Sequence, residues 1–187
     1  MTVDGLWFLA DEATQSAEQA YHRLRQRHSD FLRRTHTRRV GRRRFRTLAR
    51  RVKSTGTPYG AQTIVHRDTG EVLLVRHEGA GMWVLPGGEL RRGETYREAA
   101  ERELEEEAGV SADYRGLAMA NRIDIACEDH STWGVLPVFE AAATQLDLSV
   151  RDPDGEISAA EWFPLSDLPD GTRDRDDILA WRERART

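Results

Sequence analysis

With 187 residues, 39% of them hydrophobic and 32% charged, the chain is long enough for one domain with a buried core plus an extension. Its single cysteine, Cys127, excludes an intramolecular disulfide framework and fits a reducing compartment. The apolar run from Leu6 to Ala10 is too short for a signal peptide or a membrane span, so a cytoplasmic protein with no membrane partner is expected.

The net charge of −4 conceals two opposed parts. Residues 1–57 hold 14 basic and 5 acidic residues, a net of +9, whereas residues 58–187 hold 14 and 27, a net of −13. In the first part, Ala13, Ala17, Ala20, Leu24 and Phe31 recur at helical steps and predict a helix over about 11–34. A second helix is expected over about 40–52, with Phe45, Leu48 and Val52 as its apolar side. Between Arg33 and Lys53, eleven of 21 residues are basic. Such a stretch can serve as a nucleic-acid-binding arm that gains affinity by counterion release. It can equally be a helical hairpin neutralised by the acidic part, and the opposite net charges favour this second reading. The heptad-like stripe from Ala13 to Phe31 adds a homodimer as an option. "KSTGTPYG", 53–60, breaks the periodicity and is expected to be a linker. The chain thus divides into a basic helical extension, 1–57, and a main domain, 58–187.

From Ala61 the texture changes. "AQTIVH" and "EVLLVRH" flank the turn sequence "RDTG" and predict a hairpin. "MWVLPGG" predicts a short strand entering a turn, "GLAMANRIDIA" and "TWGVLPVFEAA" two longer strands, "AEWFPL" another, and "DRDDILAWRERA" a closing helix. Strands interrupted by one central helix and closed by another indicate an α/β or α+β layered domain.

That central helix carries the chemistry. In "LPGGELRRGETYREAAERELEEEAGV", Thr95 and Glu98 form a capping box and Gly109 is spaced to end the helix. Five of the seven residues from Glu101 to Glu107 are Glu, a repulsive arrangement that the helix macrodipole also disfavours near a C-terminus. Glu103, Glu106 and Glu107 stand at i, i+3 and i+4, within an arc of roughly 100°. Hard carboxylate oxygens on one face suit Mg²⁺ or Mn²⁺, and a bound cation would convert the repulsion into coordination. A Glu-rich helix alone is more often a solvated face.

The spacing around the helix is more specific: Gly88, five residues, Glu94, seven residues, Arg102-Glu103-Leu104, one residue, Glu106-Glu107, one residue, Gly109-Val110. This is every fixed position of the Nudix box, and the chain resembles the Nudix hydrolase family from about 59 to 184. The resemblance implies an α/β/α sandwich with a mixed sheet, and hydrolysis of a nucleoside diphosphate linked to another moiety by water attack on phosphorus. It assigns Glu103, Glu106, Glu107 and the Gly88 carbonyl to Mg²⁺ (or Mn²⁺), and Glu94 and Arg102 to bracing the loop against the helix in support of catalysis. Glu106 is the first choice for general base; Glu156, in a later loop, is the alternative that some family members would suggest. The substrate is left open between nucleoside triphosphate, ADP-ribose and nucleotide-sugar types, because the residue about sixteen past the box is Ala126, neither of the subfamily markers Pro or Tyr. A Nudix-fold ligand-binding regulator whose basic arm contacts nucleic acid is the competing function. Trp133 is weighed as a stacking platform for a base, with core packing favoured.

Overall fold

The computed structural model describes residues 5–185 in this order: α1 (Gly5–Arg27), β1 (Leu32–Arg39), α2 (Arg42–Thr55), β2 (Ala61–His66), β3 (Glu71–His77), β4 (Met82–Val84), β5 (Gly87–Gly88), α3 (Tyr96–Ala108), β6 (Ala112–Cys127), β7 (His130–Ala143), β8 (Ile157–Pro164) and α4 (Arg175–Ala185). The first four residues of the expected extension and the last two of the expected main domain lie outside the described residues. The chain divides into two units: the residues up to Gly60 with Met119–Pro137, and Ala61–Ala118 with the residues from Val138 on. Strands β6 and β7 contribute a segment to each.

In the first unit the extension is helix, strand, helix rather than two helices. The periodicity that predicted α1 through Arg34 holds only to Arg27, and Leu32–Arg39 is a strand paired in parallel with Met119–Ala126 of β6. The physical reason is non-local: "LRRTHTRR" alternates half-buried and exposed positions and contains two β-branched Thr, but only β6 gives its backbone groups partners. The expected stripe is real within α1. Ala10, Ala13, Ala17, Ala20 and Leu24 are buried in the single chain, where α1 packs on α2, so this face is not available for a second copy. Helix α2 buries Phe45, Leu48, Ala49 and Val52 and presents Arg43, Arg44, Arg46 and Arg50 to solvent. Acids of the same unit pair with its ends, Glu128 with Arg42 at 2.8 Å and Glu12 with Lys53 at 2.7 Å.

Of the expected linker, Lys53–Thr55 complete α2 and only 56–60 form a turn, which is largely buried. Gly56, at φ 82°, caps α2 by donating its N–H to the Val52 carbonyl, and the buried Thr57 hydroxyl donates to the Gly60 carbonyl at 2.8 Å. β7 runs flush beneath: a Cβ on Gly134 would lie 2.7 Å from Val52 Cγ2 and 2.6 Å from Pro58 Cδ. Trp133 is buried, edge-on to Tyr21 with the Arg122 guanidinium 4.3 Å above its ring, so it is a packing residue.

The second unit has the expected mixed sheet. β2 pairs in parallel with β7 (Gln62 opposite Val138) and antiparallel with β3 and β5, and β3 pairs antiparallel with β4 and β8. β2 and β3 occupy the ranges their sequence patterns predict. Their inward residues Val65, Leu73 and Val75 form a core with Val84, Leu104, Ala108, Val110 and Ile157. Leu104 and Ala108 fix which side of α3 faces that core, and so which glutamates are drawn down beside β5. No described helix is long and apolar enough to cross a membrane.

Candidate functional site

Helix α3 starts and stops where its sequence requires. Thr95 accepts from the Glu98 N–H while the Glu98 carboxylate accepts from the Thr95 N–H at 2.8 Å, closing the capping box. Gly109 ends the helix at φ 65°, with its N–H on the Glu105 carbonyl. Ala99 and Ala100 are fully buried, and such small side chains permit close approach to the sheet. Opposite lie Gly87, whose lack of a side chain is a packing requirement, and Gly88, whose missing side chain leaves room for the Glu103 carboxylate. A Cβ on Gly87 would fall 2.2 Å from the Ala61 carbonyl oxygen, and one on Gly88 would fall 2.6 Å from Glu103 Oε1.

Arg102 is the hub of the site. Its Nε donates to Glu94 Oε1 at 2.6 Å and its Nη2 to Glu94 Oε2 at 2.9 Å, a bidentate pair. Nη2 also reaches the Glu89 carbonyl at 2.9 Å, and Nη1 donates to Glu103 Oε1 at 2.6 Å and to Glu106 Oε2 at 3.2 Å. The Glu94 carboxylate additionally accepts the Arg91 backbone N–H at 2.7 Å, so one ion pair ties the β5–α3 loop to the helix. The Arg102 hydrogen bonds hold the Glu94 carboxyl down at about 2, and Glu94 in turn holds the guanidinium well above its ordinary range.

Both members of this pair are less than one-fifth exposed, so removing one strands the other. Glu94→Ala is expected to lower unfolding free energy by about 2–3 kcal/mol, read from the urea midpoint. A carboxyl depressed in the folded state contributes stability that is present above its unfolded range near 4.5 and lost as pH falls through about 2. The gap between wild type and Glu94→Ala should therefore be constant above about pH 5 and close in acid.

The three glutamates at i, i+3 and i+4 share a side of α3 but not one anchorage. Glu103 and Glu106 lean on Arg102, and Glu106 also spans Arg91 Nη2 at 3.0 and 3.2 Å. Glu107 instead turns inward. It is 7% exposed, and its Oε2 accepts the Gly87 N–H at 2.9 Å. Burial pushes its carboxyl up to about 9; the Gly87 bond opposes this, and the charges of Glu103, Asp152 and Glu156 add to it. Burial also raises Glu103, against the pull of Arg102. A buried carboxylate facing other acids, beside a glycine backbone, is a donor set of hard oxygens that a divalent cation would stabilise. The residues that could hold one are Glu103, Glu106, Glu107 and the Gly88 carbonyl.

Some neighbours of the site carry no sequence signal. Gly87 anchors Glu107 through a backbone N–H, and Arg91 reaches Glu106 across fifteen residues. Asp152 and Glu156 come close enough to act on Glu107 electrostatically because the loop after β7 returns along α3: Ser149 N–H donates to the Ala108 carbonyl and Arg151 N–H to that of Glu106. Asp152 organises this loop by accepting the N–H groups of Glu156 and Ile157 at 2.6 and 2.9 Å. Glu156 itself sits 3.4 Å from His77 Nε2, and His77 Nδ1 accepts the Ala80 N–H. That bond holds the imidazole with its Nε2 on the Glu156 side.

A family model described as the NUDIX domain matches residues 56–182. The putative 8-oxo-dGTP diphosphatase of Bacillus subtilis (strain 168) is 43% identical over 112 residues, covering 59% of this chain and 68% of that protein. The 8-oxo-dGDP phosphatase NUDT18 of Homo sapiens is 34% identical over 110 residues, covering 57% of this chain and 32% of that protein. The chain spans about a third of the length of several curated relatives that it matches. Among solved structures, the MutT protein from Methanosarcina mazei Go1 superposes with a TM-score of 0.52 at 22% identity, over 68% of this chain and 94% of that one, a likeness of fold.

Proposed function

The chain belongs to the NUDIX domain family, and on that premise we propose that it is a divalent-metal-dependent pyrophosphohydrolase that cleaves a phosphoric anhydride in a nucleoside-diphosphate compound. The observation that carries this reading is Glu107: a carboxylate on a complete box, buried near the charges of Glu103, Asp152 and Glu156, with the Gly87 backbone N–H donating to it. Glu103, Glu106, Glu107 and the Gly88 carbonyl are the proposed ligands of Mg²⁺ or Mn²⁺. Bound there, the ion would lower the pKa of water and neutralise charge on the diphosphate.

The chain's own residues divide the remaining work. Arg102 and Glu94 hold the β5–α3 loop and the helix in register, so that Gly88 and Glu103 stay adjacent. Glu106, the most exposed of the three proposed carboxylate ligands, is the proposed general base, accepting a proton from the attacking water at its carboxylate. Glu156 is the alternative base, supported by its electrostatic reach to Glu107 and its orientation by His77. Residues 58–187 are proposed to carry the reaction and residues 1–57 to support it structurally. Pairing of Lys53 and Arg42 with acids of their own unit favours that role over a nucleic-acid-binding arm. The reducing, cytoplasmic setting suggested by the lone, buried Cys127 belongs to the same proposal.

Gly88→Ala separates packing from function. The added Cβ meets the far end of the Glu103 side chain, which can swing aside, so stability should change by less than about 1 kcal/mol. Displacing Glu103 should still weaken Mn²⁺ binding by about tenfold or more, measured by calorimetry.

The experiment for the function itself is a panel of nucleoside triphosphates, dinucleotides and nucleotide sugars, with products identified by mass spectrometry. Two relatives are named for oxidised guanine nucleotides, so 8-oxo-dGTP and 8-oxo-dGDP lead the panel. Release of a nucleotide with Mg²⁺ and none in chelator is the expected outcome. No product from any compound with either metal would count against the proposal.

A further inference from the structure

Two guanidinium groups hold Glu106, and they are not equivalent. Arg102 is 16% exposed and is committed to both oxygens of Glu94, to the Glu89 carbonyl and to Glu103. It cannot leave Glu106 without disturbing the brace. Arg91 is 55% exposed, and Glu106 is the side chain it grips, one Nη2 spanning both carboxylate oxygens at 3.0 and 3.2 Å. Its backbone is pinned independently, through the N–H donated to Glu94 at 2.7 Å. The guanidinium can therefore swing while its root stays beside the site. Arg91 spans both oxygens of the carboxylate, so a divalent ion approaching them meets its positive charge, and the two cations compete for Glu106.

We propose that Arg91 is an exchangeable counter-ion: it neutralises Glu106, yields that carboxylate to a divalent cation, and then pairs its freed guanidinium with a phosphate oxygen of the substrate. This rests on the reading that Glu103, Glu106 and Glu107 bind divalent ions. Arg91 lies among the five variable residues between Gly88 and Glu94, so the box pattern itself does not assign it. The exchange has a clear electrostatic sense. The cost of releasing Arg91 is offset by a diphosphate that arrives with the opposite charge, within reach of a planar donor suited to phosphate. Arg91 is then a substrate-positioning residue whose availability depends on the occupancy of Glu106.

The test uses the full-length protein and four forms: wild type, Arg91→Ala, Arg91→Lys and Arg92→Ala. Arg92 is the exposed neighbour, so its removal makes the same change in net charge without touching Glu106. Free Mn²⁺ is followed by electron paramagnetic resonance in the absence of substrate. Arg91→Ala should bind Mn²⁺ about three- to tenfold more tightly than wild type, Arg91→Lys should fall between them, and Arg92→Ala should match wild type. With any anhydride that wild type turns over, Arg91→Ala should raise KM about tenfold and leave kcat within about threefold. If wild type binds no Mn²⁺, the metal reading of the site fails. If wild type binds Mn²⁺ and Arg91→Ala binds it equally well, the exchange is overturned while the metal reading stands. Tighter Mn²⁺ binding with an unchanged KM would overturn the phosphate-pairing half.

Discussion

Glu106→Gln is expected to lower kcat by about a hundredfold or more while the protein stays folded, if Glu106 is the general base as proposed. The structural reason for an intact fold is that the rest of the Arg102 network does not depend on Glu106. Arg102 keeps both bonds to Glu94, its bond to Glu103 and the Glu89 carbonyl when the Glu106 charge is gone. Gln also retains a carbonyl oxygen for Arg91. What it cannot do is take a proton from water, and such a loss costs about 10²- to 10⁴-fold in comparable systems. Glu156→Gln is the paired measurement. If it removes activity while Glu106→Gln stays within a few-fold of wild type, the base is the loop residue oriented by His77, and the assignment to Glu106 is wrong.

The second large effect is on stability and has the opposite sign to most substitutions in a core. Glu107→Gln should stabilise the protein in chelator at pH 8 while abolishing its response to Mg²⁺. A carboxyl raised by burial to about 9 favours the folded state while protonated, so its contribution is present below the unfolded range near 4.5 and is lost as pH rises through about 9. At pH 8 the chain therefore carries most of the cost of either burying the charge or taking up a proton. A neutral isostere removes that cost, and its carbonyl oxygen can still accept the Gly87 N–H. The gain should be about 2 kcal/mol, or roughly 4–8 °C in Tm for a chain of this size, shrinking to nothing near pH 4. Millimolar Mg²⁺ should raise the Tm of wild type and leave that of Glu107→Gln unmoved. Equal Tm values for the two proteins in chelator at pH 8 would mean that Glu107 is better solvated than its 7% exposure implies.

These expectations depend on features of unequal legibility. The helix and its glutamates could be found from sequence because everything that defines them is local. Thr95 with Glu98 sets the start, Gly109 the end, and a spacing of three and four puts Glu103, Glu106 and Glu107 on one side. That Glu107 would be the buried one was not read from the sequence: it adjoins Ala108 and follows Leu104 by three, but the spacing grouped it with Glu103 and Glu106. The Arg102–Glu94 pair was legible through the family pattern, and geometry adds its bidentate form.

What was missed depends on tertiary return. Strand β1 resembled the tail of a helix because its partner, β6, lies more than eighty residues away. Glu156 was named only through the family resemblance, and Asp152 not at all; their loop reaches Glu107 because the backbone before it donates to the last carbonyls of α3. Arg91 meets Glu106 only because the β5–α3 loop folds back over the helix. No local periodicity encodes such closures.

The central claim, that α3 and the Gly87–Gly88 backbone form a divalent-metal face, is tested most directly by anomalous diffraction from crystals grown with Mn²⁺. The account predicts an anomalous peak ligated by Glu103, Glu106 and Glu107, with the Arg91 guanidinium withdrawn from Glu106. A map with no peak at these carboxylates at millimolar Mn²⁺, and with Arg91 still gripping Glu106, would contradict it.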